Sequence, residues 1–165
     1  MTLPVPELIA LEIVDRLSMI AVDNGYAFDI AEVVRPSRRG DNWKHGHLGV
    51  CVQQGEATRV PELDCPGHPP ALCYEVLFEL KCTVKDSDHN EDPHATSENK
   101  MAAEVVRAIT VRDGNQWYTM DDNAVDCILG SMTPFESSEG EFNGVSVPLG
   151  VRYRVSENNP YAVRA

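Results

Sequence analysis

Three residues in the first half of the chain have the types and spacing that metal-dependent hydrolysis of a phosphodiester requires: Asp64, Glu79 and Lys81. Glu79 and Lys81 are two residues apart, so on a β-strand both side chains lie on the same face of the sheet. In such a site the carboxylates hold a divalent metal ion, and the lysine positions or activates the attacking water. The three residues therefore make a candidate nuclease centre.

The same residues also fit an ordinary solvent-facing strand, where neighbouring opposite charges are mildly favourable. The Pro-Asp dipeptide typical of PD-(D/E)xK nucleases is absent, and Asp64 lies in a proline-rich stretch. The formal net charge of -12 opposes the grasping of DNA, for which a basic surface is needed. A nuclease of this type, with Asp64, Glu79 and Lys81 as its site, is therefore the alternative hypothesis.

An acidic stretch after the central strand has the oxygen spacing of a calcium loop. Glu91 stands where that loop requires glycine, and Ser97 stands where it requires a bidentate glutamate. The solvated-loop interpretation is therefore favoured over a calcium site. The residues with the calcium spacing are Asp86, Asp88, Asn90 and Asp92.

Two short pairs could ligate zinc together, Cys65 with His68 and His45 with His47. No CxxC pair supports them, so ordinary loop residues are the favoured interpretation. The sequence also lacks the nucleotide-binding, nucleophile-elbow and zinc-protease motifs. We therefore expect no enzyme activity, no catalytic residue, no metal and no cofactor.

Length, charge and cysteine content limit the class of protein. A chain of 165 residues predicts one domain, residues 1–165, with a core of its own. The acidic balance disfavours anionic membranes and general nucleic-acid binding, but suits a passage through which DNA slides without sticking. There are five cysteines at irregular spacing, and Cys51, Cys73 and Cys82, which lie within apparent strands, are predicted to be buried thiols in a protein that folds in a reducing cytoplasm. Neither a signal peptide nor a membrane span is predicted.

The residues over 72–85 show the clearest alternation of apolar and polar side chains in the chain. Even-numbered positions such as Tyr74, Phe78 and Leu80 are apolar, whereas Glu75 and Lys81 belong to a mostly charged set. This pattern predicts a long strand with one buried and one wet face, in a largely antiparallel sheet. We expect the strand over 145–155 to be its partner, with an edge or bulge at the proline at 148.

The order of elements predicts an α+β fold: a mostly antiparallel sheet of about four to five strands, with helices packed on one face. A left-handed cap at Asn24-Gly25 should end the first helix, and a short extended tail should end the domain. The predicted elements are a helix over 6–23, strands over 26–35, 48–52 and 72–85, irregular chain over 55–70, a helix over about 96–110, a short pairing segment over 117–120, an apolar run of ambiguous type over 124–130, a loop over 135–144, and a strand over 145–155.

Two loops have opposite charge. Arg35, Arg38, Arg39 and Lys44 make the first long loop basic, whereas the loop after the central strand is acidic. Such loops could meet head to tail between copies in a ring, or could serve only solubility, and the sequence leaves both open.

The order of elements resembles that of a protein family of long-tailed bacteriophages, the tail terminator or tail-completion proteins. The resemblance lies in the leading helix, the Val33-Val34-Arg35-Pro36 strand end, the strands over 48–52 and 74–84, the helix after them, and the ending Gly150-Val151-Arg152-Tyr153-Arg154-Val155 before Asn159-Pro160-Tyr161. It covers most of the chain as a pattern. It includes no diagnostic catalytic motif.

This resemblance implies an α+β domain that forms a ring, typically a hexamer, on the end of the tail tube. The ring stops tube polymerisation and joins the tail to the head connector or head-completion protein, while DNA passes through its lumen. The protein would be made in the host cytoplasm and end in the virion tail or neck, without membrane contact. Candidate ring or tube contacts are Arg35, Arg38, Arg39, Lys44, Glu75, Glu79, Lys81, Arg152 and Arg154.

Overall fold

The computed structural model describes residues 3–36, 48–85, 94–111, 117–136 and 142–163, which form two α-helices and seven β-strands. Three short 3-10 turns lie over 22–24, 61–63 and 117–119. The helices and strands are α1 (Val5–Ser18), β1 (Glu32–Val34), β2 (Gly49–Arg59), β3 (Ala71–Lys85), α2 (His94–Thr110), β4 (Asp126–Leu129), β5 (Thr133–Glu136), β6 (Phe142–Ser156) and β7 (Asn159–Val163).

All seven strands belong to one mixed sheet, whose main path runs β1-β2-β3-β6-β4. β5 and β7 also pair with β6, so the side of β6 away from β3 is lined by three short strands in succession. Every pair is antiparallel except β1 with β2. The α+β class is therefore confirmed, but the prediction of four to five strands was wrong, because short segments lengthen the sheet along β6.

The centre of the sheet is the antiparallel pair of β3 and β6, each 15 residues long. Their register runs without interruption from Ala71 opposite Ser156 to Lys85 opposite Phe142. The pairing predicted for the two amphipathic strands is thus confirmed. Side chains directly opposite each other share a face, so this register decides which charged residues meet.

Both helices pack on the face formed by the even-numbered residues of β3, which we call the inner face. Phe78 and Leu80 are fully buried there, as the alternation predicts. From α1 come Ile9, Ile13 and Leu17, and from α2 come Met101, Val105 and Ile109, all with no exposed surface. One core therefore lies between the helix layer and the sheet.

A buried arginine fastens the two helices to each other. Arg16 on α1 is only 3% exposed, and its Nη1 donates a 2.7 Å hydrogen bond to the carbonyl of Ile109 near the end of α2. Its Nε bonds Glu12 one turn earlier, also at 2.7 Å. Because carbonyls in the last turn of a helix lack backbone partners, the guanidinium satisfies a group that burial would otherwise leave unpaired.

The first helix is shorter than predicted. It ends at Ser18 instead of residue 23, and a separate 3-10 turn follows. The Asn24 side-chain amide donates a hydrogen bond to the Met19 carbonyl, and the Asp29 carboxylate accepts one from the Val22 amide. Side chains therefore bond backbone groups that a continuing helix would bond within itself. Gly25 adopts the predicted left-handed conformation with φ of 83°, but it caps the 3-10 turn.

Several strand limits differ from the sequence prediction. β1 has three residues instead of ten, while β2 continues to Arg59 through a bulge between Gln54 and Ala57. The residues over 117–119 form a 3-10 turn and those over 126–129 form β4. β5 ends, and β6 starts, within the loop expected over 135–144. Part of the expected extended tail is β7, which pairs with β6.

Pro148 lies inside β6 although β6 is a central strand. Its carbonyl accepts a hydrogen bond from the Gly130 amide, so the missing amide hydrogen of Pro148 also faces the β4–β5 side. β5 pairs with β6 up to Ser146, and the pairing of β4 with β6 begins at Leu149. The proline therefore occupies the gap between two short strands, where no ladder donor is needed.

A tight turn before β4 holds three consecutive residues in the left-handed region. The φ angles are 44° at Met120, 56° at Asp121 and 63° at Asp122. Met120 is fully buried, and the Asn123 side chain donates to the carbonyls of Met120 and Asp121. Packing and side-chain hydrogen bonds thus hold a conformation that residues other than glycine disfavour.

Candidate interaction surface on the outer face of the sheet

The sheet face opposite the helices is the outer face, and it carries the odd-numbered residues of β3. Glu75, Leu77, Glu79 and Lys81 all retain solvent exposure there. Opposite them on β6 lie Arg152, Gly150, Pro148 and Ser146, in that order. The charged set predicted from the alternation therefore lies on one surface, as expected, with its partners fixed by the register.

One cross-strand row of the outer face carries charged residues on three neighbouring strands, β3, β6 and β4. Arg152 Nε lies 2.6 Å from Glu75 Oε2, and Arg152 Nη1 lies 3.7 Å from Asp126 Oδ2 on β4. The hydrogen bond with Glu75 raises the pKa of Arg152. The side chains are 31–46% exposed, and solvent-exposed ion pairs contribute little to stability. The row therefore fixes the positions of charges more than it stabilises the fold.

Two rows further along, Glu79 is engaged through both carboxylate oxygens. Ser146 Oγ donates to Glu79 Oε1 at 2.9 Å, and Lys81 Nζ lies 3.7 Å from Oε2. This arrangement accounts for the acidic-x-Lys pattern as a cross-strand network on an exposed sheet face.

Between the charged rows lies an apolar row of Leu77, Gly150 and Ile128. Leu77 is 52% exposed and Ile128 is 46% exposed, and each is paired with Gly150 from opposite sides. Two strand spacings separate the leucine from the isoleucine, about 9.6 Å. Because Gly150 has no side chain, the row is a notch between two exposed apolar side chains.

The ends of the outer face are closed. Thr83 has no exposed surface, and next to it a Cβ on Gly144 would lie 2.6 Å from Cζ of Phe135. Toward the other end Cys73 is fully buried, although it lies on the polar side of the alternation. The exposed part of the face is thus the region between these two positions.

Asp64 stands at the edge of the sheet and accepts three hydrogen bonds. Arg59 donates two through its terminal nitrogens, each at 2.7 Å, and the Cys73 amide donates one at 2.8 Å. The Arg59 guanidinium, with help from that amide, lowers the pKa of Asp64. Arg59 also lies 5.5 Å from the ring centroid of Tyr74. These contacts make Asp64 a clamp that fixes the start of β3.

The three nuclease candidates do not converge. Asp64 is bonded to the amide of Cys73, and Glu79 is six residues further along the same strand, about 20 Å away. Lys81 lies beyond Glu79. In the part of the chain that the structure describes, no three His, Cys, Asp or Glu residues are placed to hold a metal ion.

The other predicted contact residues are divided. Arg35 is anchored by Glu7 at the start of α1, through two hydrogen bonds of 2.6 and 3.0 Å. Arg154 lies on the outer face and donates to the carbonyl of Leu63 at 3.1 Å. The remaining basic residues, the zinc-pair histidines at 45 and 47, and the calcium-spaced residues lie outside the described residues. These are Arg38, Arg39, Lys44, His45, His47, Asp86, Asp88, Asn90 and Asp92.

The three cysteines predicted to be buried, at 51, 73 and 82, are buried. All five cysteines are free, Cys127 is also buried, and Cys65 is half-buried. Burial raises the pKa of Cys127 to about 12 and raises the pKa of Cys82 further. Burial is also the main cause of the raised pKa values of Cys51 and Cys73, which lie on the outer side of the sheet.

Sequence reasoning missed the apolar row. Leu77 was visible as the one apolar member in the middle of the charged set, but nothing in its spacing linked it to residues 128 and 150. The link depends on β4 pairing with β6, and β4 has only four residues in a run of ambiguous type.

No protein-family model matches the chain, and no curated protein is detectably similar to it. None of the described helices combines the length and apolar character needed to cross a membrane. The function of the chain is therefore inferred from its own residues and their geometry.

Proposed function

We propose that the chain is a structural assembly protein: a tail terminator that forms a ring, caps the tail tube and joins it to the head connector. The observation that carries this proposal is the outer face, where exposed Leu77 and Ile128 flank Gly150 within a frame of charged rows. This arrangement has the character of a protein interface, apolar at its centre and polar at its rim.

The energetics favour a protein partner over a small ligand. Covering the exposed halves of Leu77 and Ile128 would contribute about 1 kcal/mol each. Because the two side chains stand apart, only a partner with a broad surface can cover both. The surrounding carboxylates are paired with Arg152, Lys81 and Ser146, so they do not converge on a shared point. Paired charges of this kind govern which partner fits and in which orientation.

The mechanism of a terminator would be occupation of the tube end. One ring face binds the last ring of the tail tube protein and stops further addition, and the opposite face binds the head-completion or connector protein. The net charge of -12 supports a lumen that DNA crosses without adhering, because like charges repel. The protein would then reside in the tail or neck of the virion, with no membrane contact.

Co-expression with the tail tube protein encoded in the same genome tests the proposal. We expect electron microscopy to show tubes that end in a ring when the chain is present and overlong tubes when it is absent. Leu77→Asp should abolish the ring at the tube end, because a carboxylate there would be buried without a partner. Leu11→Asp is the matched control, since Leu11 is 43% exposed on α1.

Two results would refute the proposal. One is a genome without a tail tube gene near that of the chain, and the other is tube length that does not respond to the chain at any ratio. Magnesium-dependent DNA cleavage lost in both Asp64→Ala and Glu79→Ala would instead establish the nuclease alternative.

A further inference from the structure

Gly150 is a glycine whose presence the fold itself does not require. Gly55, Gly130 and Gly144 each stand where an added Cβ would lie within 3.0 Å of a neighbouring atom. At Gly150 the nearest atom would be the Ile128 carbonyl oxygen at 3.7 Å, an ordinary contact. Its φ is not left-handed either, since Gly25 is the described glycine with a positive φ.

A glycine in the middle of a long strand lowers stability, and it commonly marks a bulge or a close approach by another group. No bulge occurs here, because Gly150 pairs with Leu77 on one side and Ile128 on the other in continuous register. Within the described residues, nothing occupies the space above it closely enough to exclude a methyl group. Among the described residues, the space above Gly150 is therefore open to a side chain from a partner.

The side chain that would fill the vacancy stands one strand away. Leu77 projects from the same row, is 52% exposed and lies directly opposite Gly150. The Leu77 side chain and the notch at Gly150 lie next to each other. They become complementary to those of a second copy when its sheet is turned over and placed on the first. We infer that two copies of this chain pair through their outer faces, each inserting Leu77 into the notch at Gly150 of the other.

The symmetry that makes this fit has one axis, parallel to the strands and midway between β3 and β6. Rotation by half a turn about it places β3 of one copy over β6 of its partner and keeps every cross-strand row level with itself. Leu77 then faces Gly150, and in the adjacent row Glu75 faces Arg152, each contact occurring twice. In these two rows shape and charge are therefore complementary under the same operation, as an isologous interface requires.

The size of the surface sets the strength of the pair. The exposed region spans four strands, about 19 Å, by the seven residues from Glu75 to Lys81, whose six spacings cover about 20 Å. Such a face covers about 400 Å² on each copy, below the usual size of a permanent interface. We therefore expect a reversible dimer that dissociates on dilution.

This pairing does not rest on the proposed function, because it follows from the register and the exposure of these residues. If the chain assembles on tail tubes through its outer face, the dimer is the free form that precedes assembly. The dimer is measured on the isolated protein, whereas capping is measured on tail tubes. A negative result in one experiment therefore leaves the other proposal untouched.

Charge exchange between two variants is the first experiment. Glu75→Arg carries two arginines in the charged row, and Arg152→Glu carries two glutamates. In analytical ultracentrifugation over a concentration series, each variant alone should have a dimer dissociation constant at least about tenfold above that of the wild type. An equimolar mixture should form a mixed dimer, because arginines of one copy then face glutamates of the other.

Filling the notch is the second experiment. A Cβ at Gly150 would meet its nearest described neighbour at 3.7 Å, so we expect Gly150→Val to keep the fold while its side chain excludes the incoming Leu77. We expect loss of the dimer with an unchanged circular dichroism spectrum. Leu11→Asp, on the helix side of the molecule, should dimerise like the wild type.

Three results would overturn the inference: a wild-type chain that stays monomeric at the highest soluble concentration, single charge variants that dimerise normally, or a mixture of them that does not associate. A dimer that survives Gly150→Val would place the contact elsewhere on the molecule. These readouts remain decisive even if one variant fails to fold, since the others do not depend on it.

Discussion

Arg59 and Asp64 form a two-point salt bridge at the edge of the sheet, with both terminal guanidinium nitrogens 2.7 Å from the two carboxylate oxygens. This pair, with the Cys73 amide, lowers the pKa of Asp64 from its usual 3.8, and the Arg35 hydrogen bond lowers the pKa of Glu7 from its usual 4.5. A carboxyl whose pKa is lower in the folded state contributes stability above its unfolded pKa.

We therefore expect the melting temperature to fall as the pH drops below about 4.5 and then below about 3.8, where the unfolded chain binds protons that the native carboxylates resist. Asp64→Asn should melt lower at neutral pH and lose less on acidification, because its contribution is already absent. Differential scanning calorimetry across this range checks the prediction. Equal pH dependence in the variant and the wild type would contradict it.

The buried contact of Arg16 with α2 gives a prediction on stability. Arg16→Leu removes the hydrogen bond to the Ile109 carbonyl and the ion pair with Glu12, so we expect a loss of about 3 kcal/mol. The double variant Glu12→Leu and Arg16→Leu should recover part of that loss, because it also removes the carboxylate that has lost this ion pair. Urea unfolding of both variants measures the difference, and an equal or greater loss in the double variant would be inconsistent with it.

The left-handed turn gives a prediction of opposite sign. Asp121→Gly should raise the free energy of unfolding by about 0.5–1 kcal/mol, because glycine adopts a φ of 56° without the penalty of a Cβ. Asp23→Gly is the matched control, since Asp23 is also exposed but has no positive φ. Denaturant titration should show the control unchanged or less stable. A loss of stability in Asp121→Gly would mean that its carboxylate contributes more than the backbone strain costs.

The thiols should react at two very different rates. Cys65 alone retains exposure, so we expect a single fast equivalent with a thiol reagent at pH about 8, followed by slow reaction limited by unfolding. Cys65→Ser should remove the fast phase and leave the slow one. Cys82→Ser, at a fully buried position on the inner face, should leave the fast phase intact. Two or more fast equivalents in the native protein would show that another thiol opens readily.

Divalent metal ions should not stabilise the protein through the nuclease candidates. Asp64 and Glu79 stand about 20 Å apart along β3, and one ion cannot contact both. We expect the same melting temperature with and without magnesium or manganese at fixed ionic strength. A rise that disappears in both Asp64→Ala and Glu79→Ala would mean that the two carboxylates come together in another conformation.

The sequence predicts the central strands well because their alternation is long. Fourteen alternating positions decide which face of β3 is buried, and the apolar positions from Val145 to Val155 are enough to find its partner. The same alternation mislabels Cys73 and Thr83, which belong to the polar face by parity but are buried. Their burial comes from groups outside β3, which no pattern within the strand can reveal.

Short elements were predicted poorly for a related reason. β1 and β4 have three and four residues, and their place is set by hydrogen bonds to longer strands instead of by their own composition. The separation of the three nuclease candidates was missed for a similar reason. Spacing places Glu79 and Lys81 on one face. The position of Asp64, however, is set by its salt bridge with Arg59, which the sequence pattern does not predict.

The uninterrupted register of β3 with β6 also has a kinetic consequence. Its nearest pair joins residues 85 and 142, so the two strands meet only after the chain between them, including α2, has been brought into a closed loop. Sheets that depend on contacts so distant in sequence fold in milliseconds to seconds, because the entropy of loop closure is lost before the pairing rewards it. The local β2–β3 hairpin can form earlier. Until β6 pairs with it, the edge of β3 away from β2 has no neighbouring strand. We therefore expect the folding rate of this protein to be governed by the docking of β6.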